Sequence, residues 1–470
     1  MKKLRLALPA AVAVALVATS SAAAFTPTNT YYTKQWYLAQ DQAFDAWPTG
    51  PPTLQPVKVA LIDSGVDCAL PDFANQIAAK KSFVGGDPCM DSQGHGTIVA
   101  GEIAGALDAA GVVGLAYRSQ LVVAKVVAPD GTIPLQAEAD AIRWAVQQGA
   151  RVINMSFGAV RDPASPALDT YSKVEAQAVA YAVKHKAIVV AAVGNSDEAY
   201  ATPWPYASWP AALPHVIGVG ALSRSGGVPD FSDQDQTYVD LAAPGVGIFS
   251  TFPRVLTAAQ ASCTPQGYTD CAKGDYHSPE GTSFAAPQVS AAAAVLLGLN
   301  PALSPSQVTT ILERNTDDVG PAAICGGDPC PSGRDKFSGW GSLDVQKAVA
   351  ALDSGVLPPS DHFEPNDSVS QAYRLTGPRP VAGATLDYWD DPVDVYRVKL
   401  ARGQRLLARV RSRPTVSVVL RGDAKAPLAH TGPGQALHLA YRVPRTGWYY
   451  VELHTVVGAG RYTLRLNESS

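Results

Sequence analysis

The chain has 470 residues, of which 47% are hydrophobic and 17% charged, with a formal net charge of −4. That length exceeds what one compact core accommodates and predicts two or three domains. The ordinary composition and slightly negative balance give no sign of disorder or of an obligatory polyanion partner, and no nucleic-acid partner is expected. The charge is nonetheless uneven: from Asp361 onward there are 15 basic and 10 acidic residues, against 19 and 31 between Phe25 and Ser360. An acidic body joined to a mildly basic tail predicts two separate units.

At the N-terminus, Lys2, Lys3 and Arg5 precede an apolar core from Leu6 to Val17 and the small residues Ser20 to Ala24. This reads as a secretory signal peptide over 1–24, its apolar core being short for a membrane span, so the mature protein is expected to be secreted and to start near Phe25. No later stretch reads as a span. Six cysteines suit an oxidising compartment and fall in three local pairs, Cys68 with Cys89, Cys263 with Cys271 and Cys325 with Cys330. Other connectivities remain open. Each neighbour bridge would close a short loop, worth about 3 kcal/mol for some fifteen residues. The spacing does not fit a zinc cluster.

Val57 to Ile62 is a strand-length apolar run that ends in Asp63-Ser64-Gly65, and Gly94-His95-Gly96-Thr97 opens a second apolar segment, Ile98 to Ala104. Further short, β-branched runs follow at Leu121–Ala124, Val152–Met155 and Ala187–Val190, the last continuing to Gly194-Asn195. Strands buried on both faces have this pattern. Between them, Gln136–Gln148 and Ser172–His185 carry apolar residues at helical spacing. The βαβ alternation predicts an α/β fold, a parallel sheet flanked by helices. Gly281-Thr282-Ser283-Phe284-Ala285-Ala286-Pro287 then leads into an Ala-rich helical run. A hydroxyl there sits where unpaired N–H groups and the helix dipole favour developing negative charge, although Ser is also an ordinary N-cap. Residues 354–361 form a linker by composition, and from 362 to 470 the apolar period changes to two, as in an antiparallel β-sandwich.

The order Asp63, His95, Ser283, together with Val189 to Asn195, resembles the subtilisin-like serine proteases (subtilases), over about Tyr31 to Ala351. The resemblance implies a peptidase domain over 25–353 and an endopeptidase acting through an acyl-enzyme. Ser283 would attack, His95 would carry the proton, Asp63 would orient and stabilise the imidazolium, and Asn195 would donate to the oxyanion. It places the substrate as an added strand against Gly131, Thr132 and Ile133 on one side and Ser156, Phe157 and Gly158 on the other. The primary pocket would be walled by Ser156 to Gly158 and by Ala191, Ala192, Val193 and Gly194. No acid occurs in those walls, so cleavage after apolar or aromatic residues is expected. Partners are then protein or peptide substrates, and the protein is expected to be a monomer.

The same resemblance implies structural calcium, held by Asp72, by Asp108 in the loop Leu107–Val112, and by Asn29, with a weaker second site in Gly86–Asp91. The segment Tyr31 to Leu38 is similar to the mature start of the thermitase branch and leaves no room for a propeptide after the signal. Ile98, Phe284, Ala286 and Gln288 depart from the family's common His, Met, Thr and His, with altered packing expected and activity retained. Phe363 to Asp367 and Asp391 to Tyr396 resemble a bacterial pre-peptidase C-terminal domain. Two alternatives stand beside the peptidase: an inactive subtilase fold serving in binding or adhesion, and an esterase of the α/β-hydrolase type. The latter is disfavoured by the missing Gly-x-Ser-x-Gly elbow.

Overall fold

The computed structural model describes residues 25–49, 53–256, 276–354, 361–363, 366–376, 381–387, 391–422 and 426–469. The signal peptide, the Cys263–Cys271 pair and most of the linker lie outside them. Seven strands form the main sheet: β1 Lys58–Asp63, β2 Ile77–Ser82, β3 Gln120–Lys125, β4 Val152–Met155, β5 Ile188–Ala192, β6 Val216–Leu222 and β7 Leu241–Pro244. Their order is β2-β3-β1-β4-β5-β6-β7, and every pair is parallel.

The strands are continuous apolar runs because both faces are covered. Val59, Leu61, Leu121, Val123 and Val190 enter one core, while Ala60, Ile62, Val122, Ala124 and Val189 enter the other. Short helices α1 Trp36–Gln40 and α2 Ala43–Ala46 and the longer α3 His95–Ala104 contribute to the first core. Helices α4 Leu135–Gln147 and α5 Lys173–Lys184 cover the second. On the first side, α6 Ala286–Leu299 runs through the interior, followed by α7 Pro305–Arg314 and α8 Val345–Ser354. The alanines at 291–294 of α6 are buried, and their small side chains admit close packing of the helix in the core. The stretch Thr282–Leu299 is long and apolar enough to cross a membrane, contrary to the reading of the sequence, but 89% of it is buried inside the fold.

Two small ribbons, β8 Ser250–Thr251 with β9 Tyr276–His277 and β10 Ile324–Cys325 with β11 Asp328–Pro329, decorate this domain. Disulfides join Cys68 to Cys89 and Cys325 to Cys330, with Cα atoms 5.1 and 4.9 Å apart. Both neighbour pairings within the described residues are therefore the expected ones.

The C-terminal unit is all-β: β12 Tyr373–Arg374, β13 Val381–Asp387, β14 Val393–Leu400, β15 Arg405–Arg421, β16 Pro427–His430, β17 Gly434–Arg442, β18 Gly447–Val457 and β19 Ala459–Ser469. Apart from the short parallel pair β12/β14, its pairings are antiparallel. The strands form one continuous sheet, because β15 pairs with β17 and β19 first and with β16 and β18 after an irregularity between Arg411 and Val416. Pro414, which lacks an N–H for the ladder, sits at that bend. Leu406, Val410, Val418, Leu420 and Leu464 share a single core. Trp340 Nε1–H donates to Asp387 Oδ2 at 3.4 Å, joining this unit to the first.

Candidate active site

Asp63 is the last residue of β1 and His95 the first of α3, so both stand at the carboxyl edge of the sheet, where α/β folds place their ligand crevices. Asp63 is 1% exposed, and its Oδ1 accepts from the backbone N–H of Ser64 at 2.7 Å and lies 2.8 Å from His95 Nδ1. A proton on Nδ1, directed at the carboxylate, leaves Nε2 as the basic nitrogen. Gly96 permits this approach: a Cβ there would meet the Gly65 carbonyl at 2.2 Å and Asp63 Oδ1 at 3.0 Å.

The start of α3 is held by a residue the sequence reading did not single out. Asp91 is fully buried. Its Oδ1 accepts from Ser64 Oγ, Gln93 N and Gly94 N at 2.9, 3.1 and 2.8 Å. Its Oδ2 accepts from Thr97 N and Oγ1 at 2.9 and 2.7 Å. Ser64 Oγ in turn accepts from Gly96 N at 2.9 Å. A carboxylate that satisfies the first amides of α3 caps that helix from outside and fixes the His95 backbone. These five donors occupy both oxygens of Asp91, which argues against the weaker second calcium site. The Asp three residues before Gly-His-Gly was the only available signal.

Ser283 lies in a 3-10 turn, Thr282–Phe284, just ahead of α6 rather than in the α-helix itself. It lines the same cleft, of about 670 Å³, as Asp63, His95 and Asn195. Asn195 Oδ1 accepts from both the N–H and the hydroxyl of Thr282 at 3.0 Å, which fixes the carboxamide with its Nδ2 as the available donor. Gly194 makes the preceding turn: its φ is +107°, and a Cβ would strike Ser208 Oγ and Asp233 Oδ2 at 2.3 and 2.4 Å. The Phe284 ring lies 5.4 Å from the His95 ring, where the family commonly has Met.

Ile98 is a core residue, and Gln288 has a defined structural task. Its Nε2 lies 2.7 Å from the carbonyl oxygens of Phe284 and Pro244 and 3.2 Å from Glu102 Oε2. Helix α3, which carries His95, is thereby linked to α6, which follows Ser283. Burial pushes the Glu102 carboxyl well above the ordinary carboxylate range, and the hydrogen bond from Gln288 opposes this.

Gly131, Ile133, Ser156, Phe157, Gly158, Ala192 and Gly194 line the cleft. Ala191 and Val193 do not: alternation along β5 sends them into the core on the α4–α5 side. Thr132 turns its hydroxyl to Asp130 Oδ1, at 2.7 Å. Two carboxylates, Asp197 and Glu280, also line the cleft, so it is more acidic than its primary walls suggested.

Asn29, Asp72 and the loop from Ala106 to Val112 meet at a second place. Asn29 Nδ2 lies 2.8, 2.6 and 2.9 Å from the carbonyl oxygens of Ala106, Ala110 and Val112, while its buried Oδ1 has no hydrogen-bond partner. Asp72 Oδ1 accepts from Val112 N at 2.8 Å and Oδ2 from Tyr276 OH at 3.1 Å. Asp108 is exposed and caps its own loop through Ala110 N at 3.1 Å. An amide has only two hydrogens for three carbonyls. The opposite amide orientation would present Oδ1 and complete an all-oxygen set with the Asp72 carboxylate, the ligand chemistry of a hard cation. Among the described residues no group of three or more His, Cys, Asp or Glu could hold a metal.

Parallel sheet, interior helix and cleft together define a subtilase. Residues 55–341 match the Subtilase family, and the chain belongs to it. It is 34% identical to subtilisin DY of Bacillus licheniformis over 265 residues, 56% of this chain and 85% of that one. It is 32% identical to a cell wall-associated protease of Bacillus subtilis over 312 residues, covering 63% of this chain and 31% of the relative. A probable subtilase-type serine protease of Deinococcus radiodurans is also 32% identical, over 345 residues, with 68% and 43% covered. The chain thus spans less than half the length of these last two. A solved protease from Pseudoalteromonas arctica shares the fold at a TM-score of 0.56 and 24% identity, covering 70% of this chain and 99% of that one.

Proposed function

We propose that this chain is a secreted serine endopeptidase in which Ser283, His95, Asp63 and Asn195 carry the reaction. The observation that carries the reading is the 2.8 Å contact from His95 Nδ1 to the buried Asp63, in a cleft that also holds Ser283 and Asn195. His95 Nε2 takes the Ser283 hydroxyl proton as Oγ attacks the scissile carbonyl carbon, and Asp63 stabilises the imidazolium. The carbonyl becomes a tetrahedral oxyanion, to which Asn195 Nδ2 donates. Collapse expels the amine, which receives the proton from His95, and leaves the acyl group on Oγ. Water activated by the same imidazole then releases the acid.

The substrate runs between Gly131–Ile133 and Ser156–Gly158, with an apolar or aromatic side chain in the pocket bounded by Ala192 and Gly194. Asn29, Asp72 and the carbonyls of Ala106, Ala110 and Val112, with Asp108 nearby, hold a structural calcium ion, which would supply cross-linking of the N-terminal segment to the body. The N-terminal signal and the disulfides support export. The C-terminal unit is read as a pre-peptidase C-terminal domain on the motifs quoted above.

The test is fluorophosphonate labelling, followed by a peptide-library digest beside Ser283→Ala. Stoichiometric labelling at Ser283, with digestion abolished in the variant, is expected. An unlabelled, non-proteolytic protein would leave the adhesion reading in its place.

A further inference from the structure

The C-terminal sheet presents a concentration of cations that peptide hydrolysis does not use. The first half of β15 alternates: Leu406, Ala408 and Val410 enter the core, while Arg405, Arg409 and Arg411 are exposed. Residues directly opposite in an antiparallel pair share a face. The register sets Arg409 between His438 of β17 and Arg465 of β19, and sets Arg405 opposite Arg442. Arg461, at the same parity as Arg465, extends the row along β19. Six of the C-terminal unit's 15 basic residues thus share one face.

Like charges directly opposite one another destabilise a sheet. The remaining outward positions, Leu407, Ala436, Ala440, Thr463 and Asn467, carry no carboxylate to offset them. Among the described residues none of these guanidinium groups forms an ion pair with a carboxylate. A groove of about 640 Å³ lies over them, lined by Arg409, Arg411, His438, Thr463, Arg465 and Asn467. Strands lie about 4.8 Å apart and alternate residues about 6.8 Å, so the cations form a two-dimensional array.

We propose that this face binds an acidic polysaccharide, the guanidinium groups pairing with its carboxylates or sulfates. Guanidinium groups take such oxyanions bidentately. A single-stranded nucleic acid would need aromatic platforms for successive bases, and none of the outward positions named here is Phe, Tyr or Trp. The body from Phe25 to Ser360, with 31 acidic against 19 basic residues, repels the same polymer. The chain is therefore anchored by one unit while its cleft stays clear.

The test is calorimetric titration of the full chain with heparin and with polygalacturonate at about 50 and about 200 mM NaCl. Saturable binding is expected, weakened at least about tenfold in R409Q/R411Q/R465Q, with a salt slope smaller by about two to three. Peptide hydrolysis of that variant should equal that of the unaltered chain, since its side chains point to solvent, and its Tm should be no lower, since it relieves the like-charge pair Arg409/Arg465. A control variant, R118Q/R143Q/R224Q, should bind as the unaltered chain does. Three results would each overturn the proposal: no saturable binding to either polymer at the lower salt, an equal loss in the control variant, or tighter binding of single-stranded DNA than of both polysaccharides.

Discussion

Asp91 hydrogen-bonds to no reacting atom, yet five donors from Ser64, Gln93, Gly94 and Thr97 converge on it at the start of the helix that carries His95. Asp91→Ala would strand those donors in a buried place, at a cost of roughly 3 kcal/mol in stability. Because the same carboxylate positions His95, kcat should fall at least about tenfold with KM little changed, since displaced catalytic groups lose rate before they lose binding. Steady-state kinetics with thermal melts checks both. In the proposed reaction Asn195 donates to the oxyanion, with its carbonyl fixed by Thr282. Asn195→Ala should lower kcat by about 10²–10³, the figure for the equivalent donor in a subtilisin, and leave KM within a few-fold. In the cleft lining, the exposed Glu280 carboxylate would favour a basic side chain on a bound peptide. Glu280→Gln should reduce kcat/KM for peptides carrying Lys or Arg near the scissile bond by about three-fold, as one screened exposed pair allows, and leave neutral peptides unaffected.

At the scale of elements, the most exposed weakness is between α4 and α5, where Glu138 and Glu175 are buried side by side. Burial, with the neighbouring carboxyl, pushes Glu138 up to about 9, and burial pushes Glu175 up to about 7. An unfolded Glu ionises near pH 4.3, so above that value the folded chain holds protons that the unfolded chain has released. The pair's contribution is then fully present in acid and lost as pH rises through the folded values. Glu138→Gln removes one titration and should raise Tm by a few degrees at about pH 9 while changing little at about pH 5. Melting curves across pH would show it, and parallel curves for the two proteins would refute it. The elements themselves were largely legible: a strand such as β1 is buried on both sides and so reads as an unbroken apolar run, and Asp63 ends it. What could not be read is decided by partners distant in sequence. Gln288 looked like a mere departure until α3 brought Glu102 beside it. Ala191 and Val193 looked like pocket walls because a run of small residues does not reveal which face each occupies, and strand alternation sends them to the opposite core.

For the molecule as a whole, the N-terminal segment is attached to the body by the core packing of α1 and α2 and, ahead of them, by the hydrogen bonds around Asn29. Tyr31 N donates to the Gly111 carbonyl at 3.0 Å, and Asn29 reaches the carbonyls of Ala106, Ala110 and Val112. Those carbonyls belong to the loop that follows α3, so an ion held there would brace the helix carrying His95 as well as the segment around Asn29. A ligand present at about a thousand times its dissociation constant adds roughly 4 kcal/mol to folding stability. For a unit of this size each kcal/mol moves Tm by about 2–4 °C, so chelation should lower Tm by about 10 °C and hasten autolysis. Asp72→Asn removes the carboxylate from the cage and should make Tm nearly indifferent to chelator, starting from the lower value. A variant that keeps the full chelator response would place the ion elsewhere. Identical melting of the unaltered chain with and without chelator would mean that Asn29 closes the loop as an amide, with no ion in the cage.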